Sequence, residues 1–151
     1  MQAILHSNRG HAKLDISLTS SRIDVDGKWL DIDLSFARLE TDFDATEMHF
    51  CLSNVLVLAL EIDTFSSRLD SWVQLPLEIQ EKTPLLASIG LGRSYGEIVA
   101  LEFGPRKDVV CERKPIFTFR YEDSATRIAT HFITDQSCIR SFAESLTKMT
   151  S

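Results

Sequence analysis

The chain has 151 residues, of which 44% are hydrophobic and 25% charged, and its formal charge is -6 at pH 7. That length and balance read as one soluble domain, residues 1–151, with a single substantial core. The negative charge argues against a nucleic-acid binder, which normally presents a basic face to release phosphate counterions.

Residues 1–11 contain no basic stretch leading into an apolar run, so no signal peptide is expected; they read instead as a flexible tail. From Ala12 the sequence alternates, with Leu14, Ile16 and Leu18 against Asp15 and Ser17, the pattern of a half-buried strand. Ile23 and Val25 continue it, and Asp26-Gly27 signals a hairpin turn, because glycine accepts positive φ at little cost. The next strand is clearer: Leu30, Ile32, Leu34 and Phe36 face one way, and Asp31, Asp33 and Ser35 the other. Phe43 and residues 48–51 suggest a further short strand or two. The first third therefore reads as an antiparallel meander with one wet, acidic face.

Residues 52–69, LSNVLVLALEIDTFSSRL, are the longest near-continuous apolar stretch. Val55, Leu58, Ala59, Ile62, Phe65 and Leu69 recur at spacings of three and four, which predicts a helix with Ser53 as its cap. Apolar over much of its circumference, this helix is expected at the centre, with strands wrapped around it. Glu61 and Asp63 interrupt it too early for a membrane span.

Beyond it, residues 72–79 look strand-like, with Pro76 confining them to an edge or bulge. Residues 85–91 and 97–103 read as paired strands joined by a turn through Gly92 and Gly96. Residues 116–121 and 125–133 read as two more. The last element is a helix over 135–149, capped by Asp135, whose stripe of Ile139, Phe142, Ala143, Leu146 and Met149 should lie against a sheet. The fold class is α+β: antiparallel sheets around a central buried helix, closed by an amphipathic C-terminal helix.

No catalytic or metal-binding motif emerges. His6, His11, His49 and His131 are scattered without ligand spacing. Cys51, Cys111 and Cys138 are odd in number with no CxxC pair, which favours reduced thiols in a cytoplasm over disulfides or zinc. Cys111 stands near Arg113 and Lys114, an arrangement that lowers a thiol pKa when exposed, but it has no evident catalytic partner. The glycines from Gly90 to Gly96 lack the Gly-Lys-Ser/Thr ending of a phosphate loop. Asp24-Val25-Asp26-Gly27 fails as a calcium loop, because its glycine comes fourth and no closing glutamate follows. No metal or cofactor is therefore expected.

The polar feature that remains is the acidic set Asp24, Asp26, Asp31 and Asp33. Alternate aspartates on strands fill a solvent face, and gathered on one face they can present charge to a basic partner protein. A rival reading is a small-molecule binder or enzyme whose strands project His49, His131, Arg120 and Tyr121 towards a shared cleft. A third is a homodimer formed by an exposed strand edge across a two-fold axis.

Three segments resemble small bacterial proteins of the WapI-type immunity group. Gly27-Lys-Trp29-Leu-Asp-Ile-Asp-Leu34 resembles their "dgxW" strand, and Cys51-Leu52 stands where their first helix begins. Phe132 to Phe142 resembles their closing "f-x-x-DQ-x-x-L-x-x-F" helix. The resemblance implies a cytoplasmic antitoxin that binds and blocks a toxin, with no catalytic residues. It also implies structural roles for three residues: Trp29 as a core anchor, Asp135 as a helix cap and Gln136 as a first-turn residue.

Overall fold

The computed structural model describes residues 1–39, 47–90, 98–105 and 114–151, with side chains 88–90, 98–100 and 105 left aside. Eleven elements follow one another among them. Four strands, β1 (Gln2–His6), β2 (Ala12–Asp24), β3 (Gly27–Arg38) and β4 (Met48–Leu58), pair in chain order as one antiparallel sheet. Two helices come next, α1 (Ala59–Val73) and α2 (Leu77–Lys82). A second antiparallel sheet follows, β5 (Leu85–Gly90), β6 (Ile98–Pro105), β7 (Pro115–Glu122) and β8 (Arg127–Ile133), and α3 (Gln136–Thr150) closes the chain. The class is α+β, with two meanders and three helices.

The two-residue alternation of β3 does what it predicts. Leu30, Ile32, Leu34 and Phe36 are buried on the inner face, and Asp31, Asp33 and Ser35 stand on the outer one. Aromatic rings then stitch the sheets together. Phe36 stacks on Phe119 of β7, with centroids 5.6 Å apart, and lies 5.9 Å from Phe132 of β8. Phe50 of β4 meets Phe119 and Tyr121, and Phe103 of β6 meets Phe65 and Trp72 of α1. One apolar cluster thus runs through both sheets, α1 and α3.

The apolar run at 52–69 divides differently from the helical reading. Its first half is β4, in which Val55 and Val57 pair with Ile32 and Leu30, and the helix starts only at Ala59. A continuous apolar run satisfies both periods, and burial against β3 decides for the strand. Ser53 is therefore no cap; Leu58 holds the N-cap position without a side-chain bond. Asn54, at φ +56°, sits in the β-bulge that offsets β4 from β3 between Ile32 and Leu34. The helix does touch β3 and β4 of one sheet, β5 of the other, and α3. Its opposite side, with Leu60, Asp63, Ser67 and Asp70, is exposed, so it is central without being enclosed.

Three further expectations are corrected. Residues 72–79 are not a strand: they finish α1, turn, and enter α2 with Pro76 as its N-cap residue, a place where a missing amide costs nothing. The tail at 1–11 contains β1, in which Ala3 and Leu5 are fully buried, and the Asn8 amide donates to the Ile133 carbonyl at 2.9 Å. The hairpin turn is Val25-Asp26, with Gly27 at φ +126° opening β3 opposite Asp24. The closing helix has the expected buried stripe, Ile139, Phe142, Ala143, Leu146 and Met149, but a helix as well as a sheet covers it. It packs on α1 and β1.

Candidate partner-binding face

Inward burial of Leu30, Ile32 and Leu34 leaves Asp31 and Asp33 no side but the outer one. Cross-strand register completes the face. Asp33 pairs with Ser17, Asp31 with Ser20, Trp29 with Arg22, and Gly27 with Asp24. The structure thus brings Asp24, Asp31 and Asp33 onto one face and places Asp26 at the hairpin tip. No two of the four aspartates are directly opposed, since the residues facing Asp31 and Asp33 are serines. The repulsion expected between paired strands is correspondingly relieved. A β-bulge between Leu18 and Ser20 sets this register, with the Thr19 hydroxyl donating to the Asp31 carbonyl at 2.9 Å.

Each carboxylate on the strands is held in place. The Ser20 hydroxyl donates to Asp31 at 2.5 Å, the Asn54 amide to Asp33 at 2.8 Å, and the Val25 amide to Asp24 at 2.6 Å. Asp26 is exposed; Asp24, Asp31 and Asp33 are half-buried, more enclosed than a plain solvated strand implies. The donors to Asp31 and Asp33 are neutral, and among the described residues neither carboxylate forms an ion pair. Asp15 lies on the same face and was not among the sequence candidates. It is only 8% exposed and accepts from Gln2 Nε2 at 2.5 Å and from Ser17 at 3.1 Å, with Lys13 Nζ 3.9 Å away. Its burial depends on β1, whose presence the apparent tail concealed.

Trp29 is buried, at 7% exposure, but it alternates with Leu30 and so lies on the outer side, between Arg22 and Leu58 and outside the main apolar cluster. Asp135 caps α3 as expected, accepting from the Cys138 amide at 2.8 Å and from the Ser137 hydroxyl at 2.6 Å. These bonds, the Ser137 hydroxyl first, hold its carboxyl below the usual range. Burial and the neighbouring Asp135 push the Cys138 thiol up. Asp123 is likewise held low, first by the Tyr121 hydroxyl at 2.7 Å and then by the amides of Ala125 and Thr126.

The residues of the rival reading do not converge. Tyr121 points inward, whereas Arg120 stands on the outer face of the second sheet, paired with Glu102 at 2.7 Å. His131 is on that same outer face, and His49 is exposed on the outer face of the first sheet. An open groove of about 450 Å³ lies instead between the hairpin tip, the start of α1 and the end of α3. Gly27, Lys28, Leu58, Leu60 and Asp63 line it, and Lys28 Nζ donates to the Thr150 carbonyl at 3.2 Å. Among the described residues no group of His, Cys, Asp and Glu could hold a metal ion, and no helix is long and apolar enough to cross a membrane. Phe43, Cys111, Arg113 and the turn from Gly92 to Gly96 lie outside the described residues.

These features define a two-sheet α+β protein with an ordered acidic sheet face. No family model matches the chain, and no curated protein matches it.

Proposed function

We propose that the chain is a non-catalytic protein-binding protein, a cytoplasmic immunity protein that blocks a basic toxin such as a nuclease through the outer face of its first sheet. One observation carries this reading: Asp31 and Asp33 are fixed on that face by neutral donors, without ion pairs among the described residues. Charge held in this way is presented to a partner rather than spent within the protein. The net charge of -6 and the resemblance to WapI-type immunity proteins support the same reading. Blocking would be steric, and the acidic face would steer encounter, raising the association rate more than it deepens affinity.

The test uses the protein encoded beside this one, expressed as partner, with binding rates measured at low and moderate salt. Asp31→Asn with Asp33→Asn should slow association several-fold at low salt and flatten its salt dependence, with little effect on dissociation. An association rate unchanged at both salts would remove these two carboxylates from the interface.

A further inference from the structure

Strand β2 outruns its neighbour. β1 pairs with Lys13 to Ser17, and the Leu18 amide still reaches the Met1 carbonyl at 2.9 Å. Among the described residues nothing pairs with residues 19–24 on the side away from β3. Asp24 closes the hairpin against Gly27, which turns its amide and carbonyl towards β3, as those of Arg22 are turned. By alternation, the backbone groups of Ser21 and Ile23 face the open edge. Ile23, in the middle, is 86% exposed, and Val25 beyond it is 96% exposed. An open edge carrying a bare β-branched residue is what folded proteins usually cover or charge.

We propose that this edge is a self-association surface, occupied by the same strand of a second copy. The charges select one register. With Ile23 opposite Ile23 across a two-fold axis, Arg22 of each copy stands opposite Asp24 of the other, giving two symmetric ion pairs and one apolar contact. Centring the axis one residue earlier sets Arg22 against Arg22, and one residue later sets Asp24 against Asp24. The favoured register also puts the outward backbone groups of Ile23 opposite their own copies, where they can exchange both hydrogen bonds. A carboxylate has several acceptor directions, so Asp24 can take this pair while keeping the interactions it makes within its own chain, the bond from the Val25 amide among them. The two sheets then continue into one, with both outer faces on the same side, and Asp31 and Asp33 of the two copies share one acidic surface. The self-association goes beyond the toxin-blocking reading and is measured without any partner.

Sedimentation equilibrium on the full chain, from micromolar to millimolar concentration, should show a reversible monomer–dimer equilibrium. Arg22→Asp, at an exposed position, should weaken it roughly tenfold or more by replacing two attractions with two repulsions. Adding Asp24→Arg should restore it, and Ile23→Lys should leave monomer throughout. As a second measurement, Ile23→Cys should form an intermolecular disulfide under mild oxidation that the parent chain does not, because facing residues in such a pair are about 5.5 Å apart at Cα. A parent chain that is monomeric across the range overturns the proposal. So does a dimer indifferent to Arg22→Asp and Ile23→Lys, or an Ile23→Cys chain that gives no additional disulfide.

Discussion

Gln136, at the start of α3, donates from Nε2 to the Oε1 of Gln80 in α2 at 3.1 Å. Gln80 is only 1% exposed, and its own Nε2 lies 3.0 Å from the Trp72 carbonyl and 3.2 Å from those of Val73 and Leu75. The Trp72 carbonyl also accepts from the Leu75 amide at 3.1 Å, so the buried Gln80 amide chiefly serves the carbonyls of Val73, the last residue of α1, and of Leu75 just beyond it, and ties them to the first turn of α3. The expected first-turn role of Gln136 gains a partner that spacing could not name.

Replacing Gln80 with Leu should cost about 1–3 kcal/mol, because it takes the side-chain donor from the Val73 and Leu75 carbonyls as well as removing the bond to Gln136. Gln136→Ala should cost less, about 1 kcal/mol, since it leaves the Gln80 amide on its carbonyls. Urea denaturation of both variants checks the order; an equal or reversed ranking would show that the α1 end is satisfied in some other way.

The interior makes a sharper demand. Phe36 is fully buried between rings from β7 and β8, so Phe36→Ala should cost about 3–5 kcal/mol. Ile62→Asp places an unpaired charge at a fully buried site in α1 and should abolish cooperative folding. Leu58→Asp, equivalent to it on the helical reading of 52–69, should be milder, because Leu58 ends β4 half-buried on the outer face. Thermal melts followed by circular dichroism separate the three.

The cap of α3 should be legible in pH. The folded Asp135 carboxyl titrates below its ordinary value, so its contribution is present above the unfolded pKa of about 3.9 and is lost as pH falls through the lower, folded value. Asp135→Ala should cost about 1 kcal/mol at neutral pH, and the gap from the parent should close on acidification below about pH 4. Denaturation midpoints measured from pH 7 to pH 2 test this; a gap constant throughout would assign the loss to packing instead.

On the acidic face, charge and acceptor can be separated. Asp31→Asn with Asp33→Asn keeps an oxygen for Ser20 and for the Asn54 amide, and should change stability by less than about 0.5 kcal/mol. Asp33→Ala removes the acceptor for an amide in the β4 bulge and should cost about 1 kcal/mol. The same thermal melts serve, and a large loss from the double Asn variant would mean that the charges themselves stabilise the sheet.

Much of the architecture was local enough to read from the residues alone. The alternation from Leu30 to Phe36 determined which face of β3 is wet, because a strand has only two sides. The stripe and cap of α3 were equally plain, since Asp135 and the residues it precedes lie within one stretch of chain. Where both periods fitted, tertiary contact decided. Residues 52–58 became β4 because Val55 and Val57 found Ile32 and Leu30 across a sheet, and β1 formed because β2 offered it an edge. The candidate face divides along the same line. That Asp31 and Asp33 share a side followed from their spacing; that both meet serines, Asp31 facing Ser20 and Asp33 facing Ser17, followed from the bulge after Leu18, which shifts β2 by one residue against β3. Register is a property of two strands together, and only the folded sheet sets it.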